Sequence, residues 1–99
     1  MTEKHIIKFS QTFIIYQQFQ LKPDSTSFEA IKSVDNLFYG YNGQAYKVHR
    51  VGTRGSYIVF YSKQNMLFKE HNPSLKIGDN LELIITDEPI ESFGLKLAE

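Results

Sequence analysis

The sequence contains no cysteine and no tryptophan, and only three prolines. Without cysteine the chain has neither a disulfide framework nor thiolate metal ligands, which is typical of a reducing compartment. It also lacks any apolar run near the ~20 residues of a membrane span, and its N-terminal residues do not resemble a signal peptide. We therefore expect a cytoplasmic protein that is not associated with a membrane.

Motifs for catalysis and cofactor binding are also missing. His5, His49 and His71 lack zinc-site spacing, and the glycines form neither a dinucleotide fingerprint nor a phosphate-binding loop. The acidic stretch Asp87–Glu91 lacks the alternating ligand order of a calcium loop. We expect no catalytic residue, no cofactor and no metal. An enzyme stays a lesser alternative, because catalytic carboxylates can meet only in the fold.

What the chain does have is a composition suited to one small folded domain. Its 99 residues are 41% hydrophobic and 14% aromatic, which is too apolar for a disordered chain. We expect residues 1–99 to form a single domain with one modest core.

Apolar and polar residues alternate with a period of two along much of the chain, which predicts β-strands. Strands are expected at Ile6–Phe9, Thr12–Leu21, Leu37–Tyr39, Ala45–Val51, Ser56–Tyr61, Leu81–Thr86 and Phe93–Leu97. Asn42-Gly43 predicts a hairpin turn and Gly52–Gly55 a second turn. The apolar run Ser56–Tyr61 is expected to be a central strand.

Two segments have helical signals. Thr26 and Glu29 form a capping box ahead of an apolar stretch that reaches Val34. Ser62 is the predicted cap of a second helix over Lys63–His71, which Asn72-Pro73 would end. Together these elements predict a mostly-β fold, a small open β-barrel of about seven strands with two short helices.

The formal net charge of zero hides a strong polarity along the chain. Residues 44–76 carry six basic side chains and one acidic one, a net charge of +5. Residues 77–99 carry one basic side chain and six acidic ones, a net charge of −5. The basic block predicts a polyanionic partner, unless the two blocks face each other in the fold.

From Leu37 onward the order of these elements resembles the second half of the B3 DNA-binding domain. An aromatic strand beside an Asn-Gly turn, the basic turn Arg50–Gly55 and an apolar strand are followed by a helix ending in Phe68–Asn72. The segment Leu75–Leu83 has the form L-K-x-G-D-x-L-x-L. It is also similar to the swapped hairpins of AbrB-type proteins.

The B3 resemblance implies an open pseudobarrel that holds double-stranded DNA by two arms in the major groove. The C-terminal arm would be Arg50–Tyr57, and the N-terminal arm would lie near Lys8–Thr12. The implied DNA-binding residues are Lys8, Ser10, Gln11, Lys47, Arg50, Thr53, Arg54, Ser56 and Lys63. Arginine and glutamine can read guanine and adenine edges, while serine, threonine and lysine can contact phosphates.

The leading hypothesis is therefore a non-catalytic module that binds duplex DNA. The alternative is a small protein-binding barrel, such as a phage or plasmid accessory protein or a regulatory subunit that modulates a host protein. Overall neutrality favours this alternative, since dedicated DNA-binding domains are usually basic. The sequence leaves the oligomeric state open.

Overall fold

The computed structural model of this chain describes residues 2–22 and 35–98. In chain order the elements are β1 Thr2–Lys8, α1 Gln11–Tyr16, β2 Phe19–Leu21, β3 Leu37–Tyr41, β4 Gln44–Lys47, β5 Arg50–Arg54, β6 Tyr57–Tyr61, α2 Asn65–His71, β7 Asn80–Thr86, a 3₁₀ helix Ile90–Phe93 and β8 Lys96–Leu97. The predicted mostly-β fold with two short helices is confirmed. The helix predicted to begin at the capping box Thr26–Glu29 lies outside the described residues.

The strands form two sheets. The larger has the order β1-β7-β3-β4-β8, and the smaller has the order β2-β6-β5. All pairs are antiparallel except β4 with β8. Within the described ranges neither sheet closes on itself, so the architecture is two open sheets around a shared core.

Several predicted elements are confirmed, because their local signals agree with their burial. Asn42 and Gly43 both have positive φ angles, 55° and 80°, as a two-residue hairpin turn requires. They join β3 to β4 with Tyr41 opposite Gln44. The apolar strand β6 lies between β2 and β5, so its predicted central position in a sheet is correct.

The predicted strand Thr12–Leu21 is wrong over most of its length. Its first half is the helix α1, which ends where Gln17 takes a left-handed conformation with φ 58°, and only Phe19–Leu21 pairs as a strand. Phe13 is the buried residue of α1, whereas Ile15 is 59% exposed. Their spacing of two would put both residues on one face of a strand, but in the helix they lie on different sides.

The basic segment Arg50–Arg54 is also not a turn. It is the strand β5, paired with β6, and the reversal comes one step later at Gly55, where φ is 61°. The predicted strand Ala45–Val51 is accordingly divided between β4 and β5. Phe93–Leu97 contains the end of the 3₁₀ helix and the two-residue strand β8 rather than one continuous strand.

Aromatic rings fill the space between the sheets. The buried set is Phe9, Phe13, Phe19, Tyr39, Tyr46, Phe60 and Phe68. Phe68 of α2 meets Tyr39, Tyr46 and Phe13 edge to face, with ring centroids 5.4, 4.9 and 5.6 Å apart. Aromatic pairs favour this geometry, so α2 is anchored to the larger sheet and to α1 by one side chain.

A buried polar network holds the start of α2. Tyr39 donates a hydrogen bond to Oδ1 of Asn65, and its hydroxyl lies 2.8 Å from Oγ of Ser62. Asn65 in turn donates from Nδ2 to the carbonyl of Gln17 at 2.8 Å. Ser62 therefore serves this network, and the predicted N-cap is wrong, since α2 begins after Gln64 without a side-chain cap.

The end of α2 is where the Asn-Pro signal predicts it. Nδ2 of Asn72 donates to the carbonyl of Phe68 at 2.9 Å and to the hydroxyl of Tyr46 at 3.1 Å. The Tyr46 hydroxyl in turn donates a hydrogen bond to the side-chain oxygen of Gln44. The last turn of α2 is thus tied to β4 in the larger sheet.

Candidate nucleic-acid interface

The three-stranded sheet β2-β6-β5 turns one face to the core and the other away from it. Phe19, Ile58 and Phe60 belong to the core cluster and Leu21 packs against it, so these residues mark the inner face. Because side chains alternate along strands and directly paired residues share a face, the outer face follows from the register.

Both arginines lie on the outer face. Arg50, Gly52 and Arg54 are every second residue of β5 and therefore lie on the same face. Arg54 pairs with Tyr57 of β6. A Cβ atom added to Gly52 would meet Cγ2 of Val59 at 3.8 Å, which places the arginines and the Val59 side chain on the same side. Gln20 of β2 pairs with Val59 and therefore lies on the same outer face as the arginines.

Tyr16 covers part of this face from the end of α1. The guanidinium carbon of Arg54 lies 5.0 Å from the centroid of the Tyr16 ring. The two side chains border a concavity of about 450 Å³, lined by Tyr16, Gln20, Arg54, Gly55, Ser56 and Tyr57. It combines a cation, two phenol rings and small polar groups at the tip of the β5–β6 hairpin.

A second concavity, of about 370 Å³, lies between α1 and α2. Its lining is Tyr16, Gln17, Gln18, Ser62, Lys63, Asn65 and Met66. Tyr16 therefore borders both concavities, with Arg54 at one and Lys63 at the other. Neither lining set includes an acidic side chain, so the described surface on both sides of Tyr16 favours an anionic ligand.

Three of the residues implied by the B3 resemblance lie together here. Arg50 and Arg54 share the outer face of β5, and Ser56 lines the concavity beside Arg54. Thr53 pairs with Ile58 and therefore lies on the opposite face of the hairpin. Lys63 lies beyond β6, in the concavity between the helices.

The other four implied residues lie elsewhere. Lys8 ends β1, and its ammonium group donates to Oδ1 of Asn80 at 3.0 Å. Ser10 and Gln11 begin α1, where the Ser10 side chain makes no cap hydrogen bond. Lys47 ends β4, paired with Phe38 in the larger sheet. The N-terminal group is thus placed at the junction of β1 and α1, at the opposite end of α1 from Tyr16.

The described acidic side chains of residues 77–99 lie on β7 and in the segments just before and after it. Glu82 lies on β7, paired with Ile6 of β1. The carboxylate of Asp79 accepts the backbone N–H of Lys76 at 2.9 Å, and that of Asp87 accepts from Asn36 at 3.0 Å. The two arginines lie on the smaller sheet, but the larger sheet carries Lys4, Lys8, Lys47 and Lys96 as well as Glu3 and Glu82, so the charge polarity of the sequence is not a difference between the two sheets.

Tyr16, Gln18, Gln20 and Tyr57 are residues of this surface that the sequence analysis did not select. The first three fall inside the segment predicted as one strand, where Tyr16 would have been an ordinary outward side chain. The unbroken apolar run Phe13–Tyr16 is compatible with a helix as well as with a buried strand, so the sequence alone does not select the helix that places Tyr16 here.

Some classes of site find no support in the part of the chain that the structure describes. No described helix is long and apolar enough to cross a membrane. No group of three or more acidic, histidine or cysteine side chains that could hold a metal is found among residues 2–22 and 35–98. No protein-family model matches the chain, and no match was found among curated proteins or solved structures.

Proposed function

We propose that this protein is a non-catalytic module that binds double-stranded DNA through the β5–β6 hairpin. The observation that carries the proposal is the placement of Arg50 and Arg54 on one outer face, with Gly52 between them. The B3 resemblance, which assigns this segment to a DNA-contacting arm, supports the same assignment.

The hairpin has a suitable shape for the task. The major groove of DNA admits a two-stranded β-ribbon, and its base edges offer paired hydrogen-bonding groups to arginine and glutamine. Arg54 and Ser56 flank Gly55 at the tip, where the absent side chain lets the backbone approach a duplex closely. Arg54 would read a base, and Arg50 and Lys63 would contact phosphates.

The proposal is tested by titrating the protein into fluorescent duplexes of random sequence and measuring anisotropy at about 50 mM salt. We expect binding at micromolar protein, and at least about a tenfold loss of affinity by about 200 mM salt through counterion release. No anisotropy change at micromolar protein would overturn the proposal.

Variants that each lose one positive charge distinguish binding by the hairpin from general electrostatic attraction to DNA. Arg50→Ala and Arg54→Ala each remove one positive charge from the outer face, and Lys96→Ala removes one from the exposed edge strand β8. We expect both arginine variants to weaken binding and Arg50→Ala, which removes a phosphate contact, to lower the salt slope by about one, while Lys96→Ala changes neither affinity nor slope. Equal losses in all three variants would contradict a hairpin interface.

A protein partner is the second candidate, and one observation favours it. Ile15 of α1 is 59% exposed and Met66 of α2 is 76% exposed, and these two helices border the concavity that includes Tyr16 and Lys63. Exposed tyrosine, arginine, methionine and aliphatic side chains are typical of protein interfaces. Retention of a stoichiometric protein after nuclease treatment, together with absent DNA binding, would favour this candidate over the first.

A further inference from the structure

The concavity between α1 and α2 has hydrogen-bonding capacity that the fold does not use. Gln18 lines it, and among the described residues no partner lies within hydrogen-bonding distance of the buried Gln18 side-chain oxygen. Buried polar atoms are almost always paired, so a ligand in the concavity gains binding energy if the Gln18 side chain turns toward it and the oxygen acquires a partner. A glutamine amide carries both donor and acceptor groups, as the edge of a nucleobase does.

One side of this concavity, formed by Ser62 and Asn65, is held in place by buried hydrogen bonds. Ser62 and Asn65 are 3% and 2% exposed and are bonded to the Tyr39 hydroxyl. Asn65 also donates a hydrogen bond to the backbone carbonyl of Gln17. A site held in this way is pre-formed, and pre-formed sites bind with a smaller loss of conformational freedom.

The remaining lining supplies the other features of a nucleotide site. Tyr16 is half-exposed and offers a phenol ring, on which bases stack. Lys63 is an exposed cation at the rim, where it can meet a phosphate. The volume of about 370 Å³ falls in the range of about 300–1,000 Å³ common to ligand pockets.

We propose that this concavity accepts one unpaired nucleobase of the bound DNA, stacked against Tyr16 and bonded to Gln18, with its phosphate near Lys63. The inference rests on the proposed DNA binding and extends it. Tyr16 borders both concavities, so the proposed base site adjoins the concavity at the hairpin tip. Extrusion costs least when the base is already unpaired, so DNA with an unpaired base is the preferred ligand.

The test compares two duplexes of identical flanking sequence, one fully paired and one with a single unpaired 2-aminopurine. Their affinities are measured by anisotropy, and the emission of the 2-aminopurine reports its stacking. We expect about tenfold tighter binding of the unpaired duplex and a change of emission on binding. Equal affinities with unchanged emission would overturn the inference while leaving duplex binding intact, whereas binding to neither duplex would overturn the proposed function itself.

Variants assign the effect to the concavity. Gln18→Leu keeps the approximate size of the side chain but removes the amide that could bond to a base. We expect it to abolish the preference for the unpaired duplex. Lys63→Ala changes an exposed side chain that the fold does not depend on, so it keeps the test decisive should Gln18→Leu fold poorly. Because Lys63 is also proposed to contact phosphates of paired DNA, the measurement is the ratio of the two affinities, and Lys63→Ala should lower affinity for the unpaired duplex about threefold more than affinity for the paired one. Ile15→Ala, on α1 outside the lining, should preserve the preference, and a loss of preference in that control would count against the site.

Discussion

The guanidinium of Arg54 lies over the ring of Tyr16, with the guanidinium carbon 5.0 Å from the ring centroid. The contact joins the edge strand β5 to the last residue of α1, two segments that are far apart in the sequence. A cation above an aromatic face is attracted by the ring electrons, and at an exposed site the contact contributes about 0.5–1 kcal/mol. It also restricts where the Arg54 side chain can point.

Loss of this contact should weaken DNA binding without unfolding the protein. In Tyr16→Leu we expect the dissociation constant for duplex DNA to rise roughly two- to fivefold, because Arg54 is no longer held in place. Tyr16→Phe retains the ring and should bind as the wild type does. Anisotropy titration measures both, and an equal loss in the two variants would show that the ring face is not what matters.

Arg54 should contribute to sequence preference and not only to charge. On a duplex selected from a random pool, Arg54→Ala should lose about 1–3 kcal/mol of binding and relax the preference at one position. Arg54→Lys keeps the charge but cannot form the two parallel bonds of a guanidinium, so it should relax the same position with a smaller loss of affinity. Competition with single-base variants of the duplex is the measurement, and an unchanged preference in both variants would limit Arg54 to phosphate contact.

Phe68 should be a major source of stability. It is fully buried and contacts rings on α1, β3 and β4, so Phe68→Ala should lower the free energy of unfolding by about 3–5 kcal/mol. Met66, on the same helix, is 76% exposed, and Met66→Ala should change it by less than about 0.5 kcal/mol. Urea denaturation followed by circular dichroism compares the two. Similar losses would contradict the placement of α2.

Tyr39 should make stability depend on alkaline pH. Burial raises the pKa of the Tyr39 hydroxyl well above the ordinary value of about 10, with a smaller opposing effect from its hydrogen bond to Ser62. The unfolded chain therefore releases this proton first. The stabilising contribution is complete below about pH 10 and is lost as the pH rises from there toward the folded pKa.

Tyr39→Phe isolates that contribution. At neutral pH the variant should be about 1–3 kcal/mol less stable, because Asn65 and Ser62 lose a buried partner. Because the substitution removes the hydroxyl that ionises, the difference between the two proteins should shrink as the pH rises above about 10. Urea denaturation across pH 7 to pH 11 measures it, and a difference that stays constant would contradict the burial of an ionisable Tyr39.

Agreement between sequence and structure is best where the signal is local. The Asn42-Gly43 turn requires only two residues that tolerate positive φ, and the end of α2 requires only Asn72 ahead of a proline. The strand β7, Asn80–Thr86, lies where the alternating sequence predicts it. These elements follow from backbone preferences that act over two to seven residues, so the sequence predicts them correctly.

Agreement fails where burial is decided by distant neighbours. Phe13 and Ile15 have the same spacing in either element, and only the packing of Phe13 against Phe9 and Phe68 makes the segment a helix. The Arg50–Arg54 segment is rich in turn residues, yet pairing with β6 extends it. The candidate site is the part that the sequence predicts least well, because Tyr16 and Gln18 lie within the segment wrongly predicted as one strand.

By itself the sequence determined the mostly-β class, the hairpin at Asn42-Gly43 and the separation of a basic block from an acidic one, because each depends on composition or on near neighbours. Only the tertiary structure decided that both arginines share an outer face, that Tyr16 lies beside Arg54 and that Gln18 borders a concavity with Lys63. Those relationships depend on strand register and on which ring fills the core, and both are set by contacts between residues far apart in the chain.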